Sequence, residues 1–170
     1  RGVAHLHEHG IIHRDIKPEN VLIHENRLVK LTDFGIAQMV DSQSFTVTGQ
    51  ILGSPGHMAP EQVEGADCDA RSDLFSLGTV LYYLAVGRLP FTGRNPHQVL
   101  KRIVDGDYPD PLRLEPTVGG ELVAILQKSL QTDPDERYQS AQELERDLLG
   151  FVGRIGIDDP DATLAEYLED

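Results

Sequence analysis

His13-Arg14-Asp15-Ile16-Lys17-Pro18-Glu19-Asn20 crowds two carboxylates, two cations, an imidazole and an amide into one short stretch. A lone aspartate such as Asp15, or Asp33 further along, is most simply a turn or capping residue. Here Asp15 is followed by a lysine two residues on and an amide five residues on. A second dense motif, Asp33-Phe34-Gly35, comes soon after, and a third, Ala59-Pro60-Glu61, lies beyond it. Working outward, residues 3–10 read as the last turns of a helix stopped at Gly10, ahead of a short apolar Ile11-Ile12. On the other side, Val21-Leu22-Ile23 and Leu28-Val29-Lys30-Leu31 are β-prone runs joined by the polar His24-Glu25-Asn26-Arg27, the pattern of a small hairpin between the first two motifs.

Further along, residues 41–50 are rich in Ser, Thr, Gln and Gly, which predicts an exposed loop. The run over 73–86 is apolar on nearly every side, which predicts a helix buried all round and serving as the core axis. Amphipathic segments over 96–104, 119–130 and 140–149, separated by Pro, Gly and Asp, should pack around it. After Gly150 the chain turns acidic and carries no basic residue past Arg154. The expected organisation is therefore a folded unit over 1–149 and an acidic tail or linker over 150–170.

At 170 residues and 39% hydrophobic composition the chain can bury one real core. Its single cysteine, Cys68, cannot form an internal disulfide, and no apolar stretch is long and charge-free enough to span a bilayer. A cytoplasmic setting is the expectation. The first residues lack the layout of a signal peptide and there is no initiator methionine, so a longer parent chain, which could itself be membrane-anchored, is expected. A net charge of −13 with no basic stripe argues against nucleic-acid binding; the acidic excess is read as solubilising surface, beside a role in choosing basic protein substrates. His5, His7 and His9 lack the third ligand of a metal site and read as a solvated helix end.

The three motifs, in their order and spacing, resemble the catalytic core of the eukaryotic-type serine/threonine protein kinases, from Arg1 to about Gly150. Asp69-Ala70-Arg71-Ser72-Asp73 and Gly87-Arg88-Leu89-Pro90-Phe91 resemble the bacterial members. The resemblance implies a mainly helical lower lobe with a small β hairpin carrying the catalytic and metal loops. The sequence contains no glycine-rich phosphate loop and no strand lysine of the ATP-covering β lobe, so little activity is expected of these residues alone.

The resemblance also assigns roles. Asp15 would accept the proton of a protein Ser or Thr hydroxyl, Lys17 would place a cation near the transferring phosphoryl of ATP, and Asn20 and Asp33 would hold Mg²⁺. Glu19 and Leu22 would join Lys17, Asn20 and Asp33 around the nucleotide, with Leu22 under the adenine, although core packing alone explains an apolar residue there. Arg14 marks kinases activated by a phosphorylated loop, for which Thr46 and Thr48 are the favoured acceptors over Ser42 and Ser44. Ser54 and His57 stand where the family's substrate-docking loop usually has threonine and an aromatic residue; Ser54 keeps the hydroxyl that would touch Asp15 and Lys17. His13, Phe34 and Asp73 would be structural, with Asp73 bonding the catalytic-loop backbone, and Glu61 and Arg137 would form a buried ion pair. The alternative reading is a kinase-like binding module without phosphoryl transfer.

Overall fold

The computed structural model describes residues 1–24, 28–33 and 55–167. In chain order its elements are α1 (Gly2–Glu8), β1 (Val21–Ile23), β2 (Val29–Leu31), α2 (Pro60–Glu64), α3 (Ala70–Val86), α4 (Pro96–Asp105), α5 (Pro111–Leu114), α6 (Gly119–Ser129), α7 (Ala141–Arg154) and α8 (Pro160–Tyr167), with short 3-10 turns that include Pro18–Asn20 and Pro55–His57. Helices dominate, as expected, and β1 and β2 form an antiparallel pair with Val21 opposite Leu31, Leu22 opposite Lys30 and Ile23 opposite Val29. The loop read over 41–50, and with it Phe34, Thr46, Thr48 and Ser54, lies outside the described residues. Among the described residues no helix is long and apolar enough to cross a membrane.

The chain forms α3 because its ends are marked and its middle is apolar. The Asp69 carboxylate accepts the Arg71 N–H at 2.8 Å. Gly87, at φ +77°, takes the left-handed conformation that stops the helix while its N–H bonds the Tyr83 carbonyl. Two groups of buried side chains meet on this helix. Phe75 and Tyr82 pack with Ala59, Phe91, Ile103, Leu126 and Leu130 on one side. Leu74 packs with Ala4, Ile125, Tyr138, Ala141 and Leu144 on the other. Gly78 faces α6 so closely that an added Cβ would sit 2.6 Å from the Ser129 Cβ. One expectation is corrected: α3 is not buried all round. Tyr83 and Leu84 are 41% and 72% exposed, because α5, α6 and the Pro55–His57 turn pack elsewhere along the helix.

The last amphipathic segment also runs further than its reading over 140–149. Ser140 caps α7 by accepting the Glu143 N–H at 3.2 Å, and the helix continues through Gly150 to Arg154. The glycine invites a stop, but Phe151 packs against the core beyond it and Arg154 pairs with Glu121 of α6. Helix α8 follows, and Arg1 bridges Glu145 and Asp161 at 3.2 and 3.0 Å.

A buried ion pair ties α2 to the segment before α7. The Arg137 Nη1 and Nη2 atoms meet Glu61 Oε1 and Oε2, each at 2.7 Å. The remaining N–H groups reach the carbonyls of Gln131, Thr132 and Arg71, so all five guanidinium donors are used. Ser72 donates to Glu61 Oε1 at 2.6 Å. Burial by itself would push the Glu61 carboxyl up, but the Arg137 and Ser72 hydrogen bonds outweigh it and hold the group below its ordinary 4.5. The stabilisation is therefore complete above that ordinary value and fades as pH falls through the lower folded one. Arg137→Leu strands the Glu61 charge and is expected to lower the unfolding free energy by roughly 3–5 kcal/mol. Urea denaturation across a pH series checks both statements, the difference between variant and wild type narrowing as the solution becomes acidic.

Candidate active site

The site hangs from the first turn of α3. Asp73 is fully buried. Its Oδ1 accepts the Arg14 N–H at 2.8 Å, and its Oδ2 accepts both the His13 N–H and the His7 Nε2–H, each at 2.8 Å. His7 is therefore not part of a solvated helix end. Its side chain is 10% exposed, and its Nδ1 is sealed without a partner. His5 and His9 do stay outside, their rings 4.4 Å apart. The signal for His7 was present in the spacing: Val3, Ala4 and His7 share one face of α1, and Val3 and Ala4 belong to the core.

This anchoring holds a strained backbone. Arg14 and Asp33 have φ of 65° and 55°, the left-handed region that residues with a side chain seldom enter. Arg14 is gripped on both sides, its N–H by Asp73 and its carbonyl by Gln62 Nε2 at 2.9 Å. Gln62 in turn accepts the Ala59 N–H at 2.9 Å, so α2 is stitched to the loop. Asp33 follows Thr32, whose N–H bonds the Asn20 carbonyl at 2.9 Å and whose own carbonyl meets His13 Nε2 at 3.0 Å. A carbonyl can only accept, so His13 carries its proton on Nε2 and leaves Nδ1 to receive the Asp15 N–H at 3.3 Å. Thr32 and Gln62 are positioning residues that the motifs did not single out.

Three of the anticipated residues converge. Lys17 Nζ and Asn20 Nδ2 donate to Asp15 Oδ2 at 2.8 and 3.0 Å, and Asn20 Nδ2 also donates to the Asp15 carbonyl at 2.8 Å. The other carboxylate oxygen, Oδ1, makes no hydrogen bond among the described residues, and the Asp15 side chain is 31% exposed. Both Asn20 amide protons turn toward Asp15, and the Asn20 Oδ1 makes no hydrogen bond among the described residues. Asp33 is exposed and Glu19 lies on the open side of the Pro18–Asn20 turn. Leu22 is 52% exposed on the hairpin, beside Ile23, Leu28 and Val29, which are equally open. Arg14 makes no ion pair among the described residues. His57 is buried, with its ring against Thr79 at 2.6 Å.

The donor set fits a hard divalent cation. The Asn20 amide oxygen and the Asp33 carboxylate are hard oxygen ligands of the kind Mg²⁺ takes together with phosphate and water. The pairing of Asp15 with Lys17 leaves a cation and an acceptor side by side at an open surface, which suits a reaction moving a proton from a hydroxyl while negative charge shifts nearby.

Removing the His7 contact tests the anchor. His7→Leu deprives the Asp73 carboxylate of one donor and is expected to lower the unfolding free energy by about 2 kcal/mol, the scale for a hydrogen bond to a charged group. His7→Gln keeps an N–H donor and should lose less. Urea titration of both variants decides it, and an unchanged midpoint for His7→Leu contradicts the assignment.

Residues 1–149 match the protein kinase domain family. The chain is 44% identical over 145 residues to the serine/threonine-protein kinase PknB of Mycolicibacterium smegmatis, covering 84% of this chain and 23% of that protein. It is 40% identical over 142 residues to the probable serine/threonine-protein kinase CPE1738 of Clostridium perfringens, covering 84% and 21%. It is 38% identical over 146 residues to the serine/threonine-protein kinase PrkC of Bacillus subtilis, covering 86% and 22%. The chain thus spans less than a quarter of the length of these relatives. Family match and relatives agree with the motifs and with the loop geometry around Asp15: the chain belongs to the protein kinase domain family.

Proposed function

We propose that this chain is the lower lobe of a serine/threonine protein kinase, which transfers the γ-phosphoryl of ATP to protein Ser and Thr hydroxyls. The observation that carries the reading is the state of Asp15: one carboxylate oxygen is pinned by Lys17 and Asn20, and the other makes no hydrogen bond among the described residues. A hydroxyl donating to that second oxygen is oriented for attack, and its proton has an acceptor as the new O–P bond forms. Lys17 sits 2.8 Å from the same carboxylate, where it offsets negative charge on the transferring group. Mg²⁺, when bound by Asn20 Oδ1 and Asp33, supplies charge neutralisation on the phosphate oxygens. Leu22 and the open hairpin provide an apolar bed for the adenine, Lys17 and Glu19 flank the nucleotide, and an upper lobe completes the site.

Arg14 supports a switch on the same site. Its guanidinium is free of ion pairs among the described residues while its backbone is clamped to Asp73. A phosphate on Thr46 or Thr48 would pair with it and order the segment that carries Ser54, the residue assigned here to substrate docking. The intact set of Asp15, Lys17, Asn20 and Asp33 favours catalysis over a binding module that lacks it.

Phosphate transfer from labelled ATP and Mg²⁺ to a basic protein tests the reading, using the longest natural form of the protein beside its Asp15→Asn variant. Loss of the general base is expected to reduce kcat by about 100-fold or more with little change in the KM for ATP. The 170-residue chain, run as a control, is expected to transfer little phosphate because its sequence has no phosphate-covering loop. An Asp15→Asn variant as fast as wild type contradicts the assignment.

A further inference from the structure

The peptide group between Arg14 and Asp15 aims the Asp15 side chain, and both of its polar atoms are held. Its N–H, that of Asp15, donates to His13 Nδ1 at 3.3 Å. Its oxygen, the Arg14 carbonyl, accepts from Gln62 Nε2 at 2.9 Å. The first bond lies within the catalytic loop and moves with it. The second comes from α2, 48 residues further along the chain. A residue at φ 65° relaxes by turning its flanking peptides, and Asp73 grips only the one before Arg14. The peptide after Arg14 therefore depends on Gln62.

The Gln62 amide is used at both ends, and its direction follows from its partners. The Ala59 N–H can only donate, so it faces Oε1 at 2.9 Å, and the Arg14 carbonyl can only accept, so it faces Nε2. The backbone beneath this amide is anchored in turn. Glu61, the preceding residue, is locked to Arg137 and Ser72, and the Gln62 N–H bonds the Ala59 carbonyl at 3.0 Å. Just before Ala59, the Pro55–His57 turn is tied to α3 by the bond from Ser76 Oγ to the His57 carbonyl at 2.8 Å. One side chain thus spans from the segment leading into α2 to the peptide that aims Asp15.

We propose that Gln62 is a positioning residue for phosphoryl transfer: its amide, bonded to Ala59 and to the Arg14 carbonyl, sets the plane of the Arg14–Asp15 peptide and so fixes the Asp15 carboxylate relative to the segment before α2. This rests on the kinase reading of the same site and deepens it, since the base is then aimed from α2 as well as from its own loop. Lys17 and Asn20 do not supply this control, because they belong to the same loop as the Asp15 atoms they bind. Turning the peptide swings the carboxylate away from the attacking hydroxyl, and a misplacement of about 1 Å costs up to roughly 100-fold in rate.

Steady-state phosphate transfer by the longest natural form of the protein tests this, with wild type, Gln62→Glu and Gln62→Met compared, alone and combined with Asp15→Asn. Gln62→Glu keeps the acceptor for the Ala59 N–H but sets a carboxylate against the Arg14 carbonyl, whereas Gln62→Met removes both bonds. Each is expected to lower kcat by roughly tenfold while the KM for ATP stays put. In the Asp15→Asn background the same changes should cost less than about twofold, because they act through that carboxylate; a residue that only supports folding would not show this dependence. Either variant as fast as wild type, or a tenfold loss that persists in Asp15→Asn, overturns this inference alone. A wild type that transfers no phosphate overturns it together with the kinase reading. Carbon-13 NMR of the Arg14 carbonyl gives a readout independent of activity: its resonance should move in both variants, and an unchanged shift overturns the proposal.

Discussion

A buried carboxylate at the start of α3 receives three hydrogen bonds, from the backbone of His13 and Arg14 and from the ring of His7. Through it the central helix reaches across the core and holds the loop that carries Asp15. A fully buried carboxylate is costly unless its acceptors are satisfied, and Asp73 meets that condition with groups of the catalytic loop and of α1. The chemistry of the site and the packing of the helix are therefore not separable. Any rearrangement that moves Arg14 away from Asp73 leaves a buried charge with fewer donors.

The same economy of parts appears further out. Arg14 and Asp33 sit in strained backbone conformations, and each is flanked by bonds that hold it there: Asp73 and Gln62 at Arg14, and the Thr32 links to Asn20 and His13 beside Asp33. Glu61 and Arg137 fix α2 relative to the end of the lobe, and Gln62, the neighbour of Glu61, touches the catalytic loop directly. Strain at Arg14 and Asp33 is offset by well-satisfied bonds close by. The result is a loop in which Asp15, Lys17 and Asn20 are already held together.

Much of this architecture was legible in the chain. The hairpin showed in its two short β-prone runs, α3 in the apolar run over 73–86, and α4 in the amphipathic segment over 96–104. The motif residues Asp15, Lys17 and Asn20 are within hydrogen-bond distance of one another. The features that escaped depend on partners remote in sequence. His7 looked like a surface histidine because its acceptor, Asp73, lies 66 residues away. The full length of α7 was hidden by Gly150, since the contacts that carry the helix past it come from Phe151 in the core and Glu121 on α6. The exposed end of α3 could not be read from composition, because apolar side chains announce a wish for burial and not its fulfilment. Thr32 and Gln62 act through hydrogen bonds that reach the catalytic-loop segment from far along the chain, which no periodicity reports.

The central claim is that Asp73 holds the catalytic loop, and amide hydrogen exchange of the backbone tests it most directly. The His13 and Arg14 amides should be protected to a degree approaching that of α3 itself, and Asp73→Ala should release both while the amides of α6 and α7 stay slow. Protection at His13 and Arg14 that survives Asp73→Ala would contradict the account, because the loop would then be held by something other than the buried carboxylate.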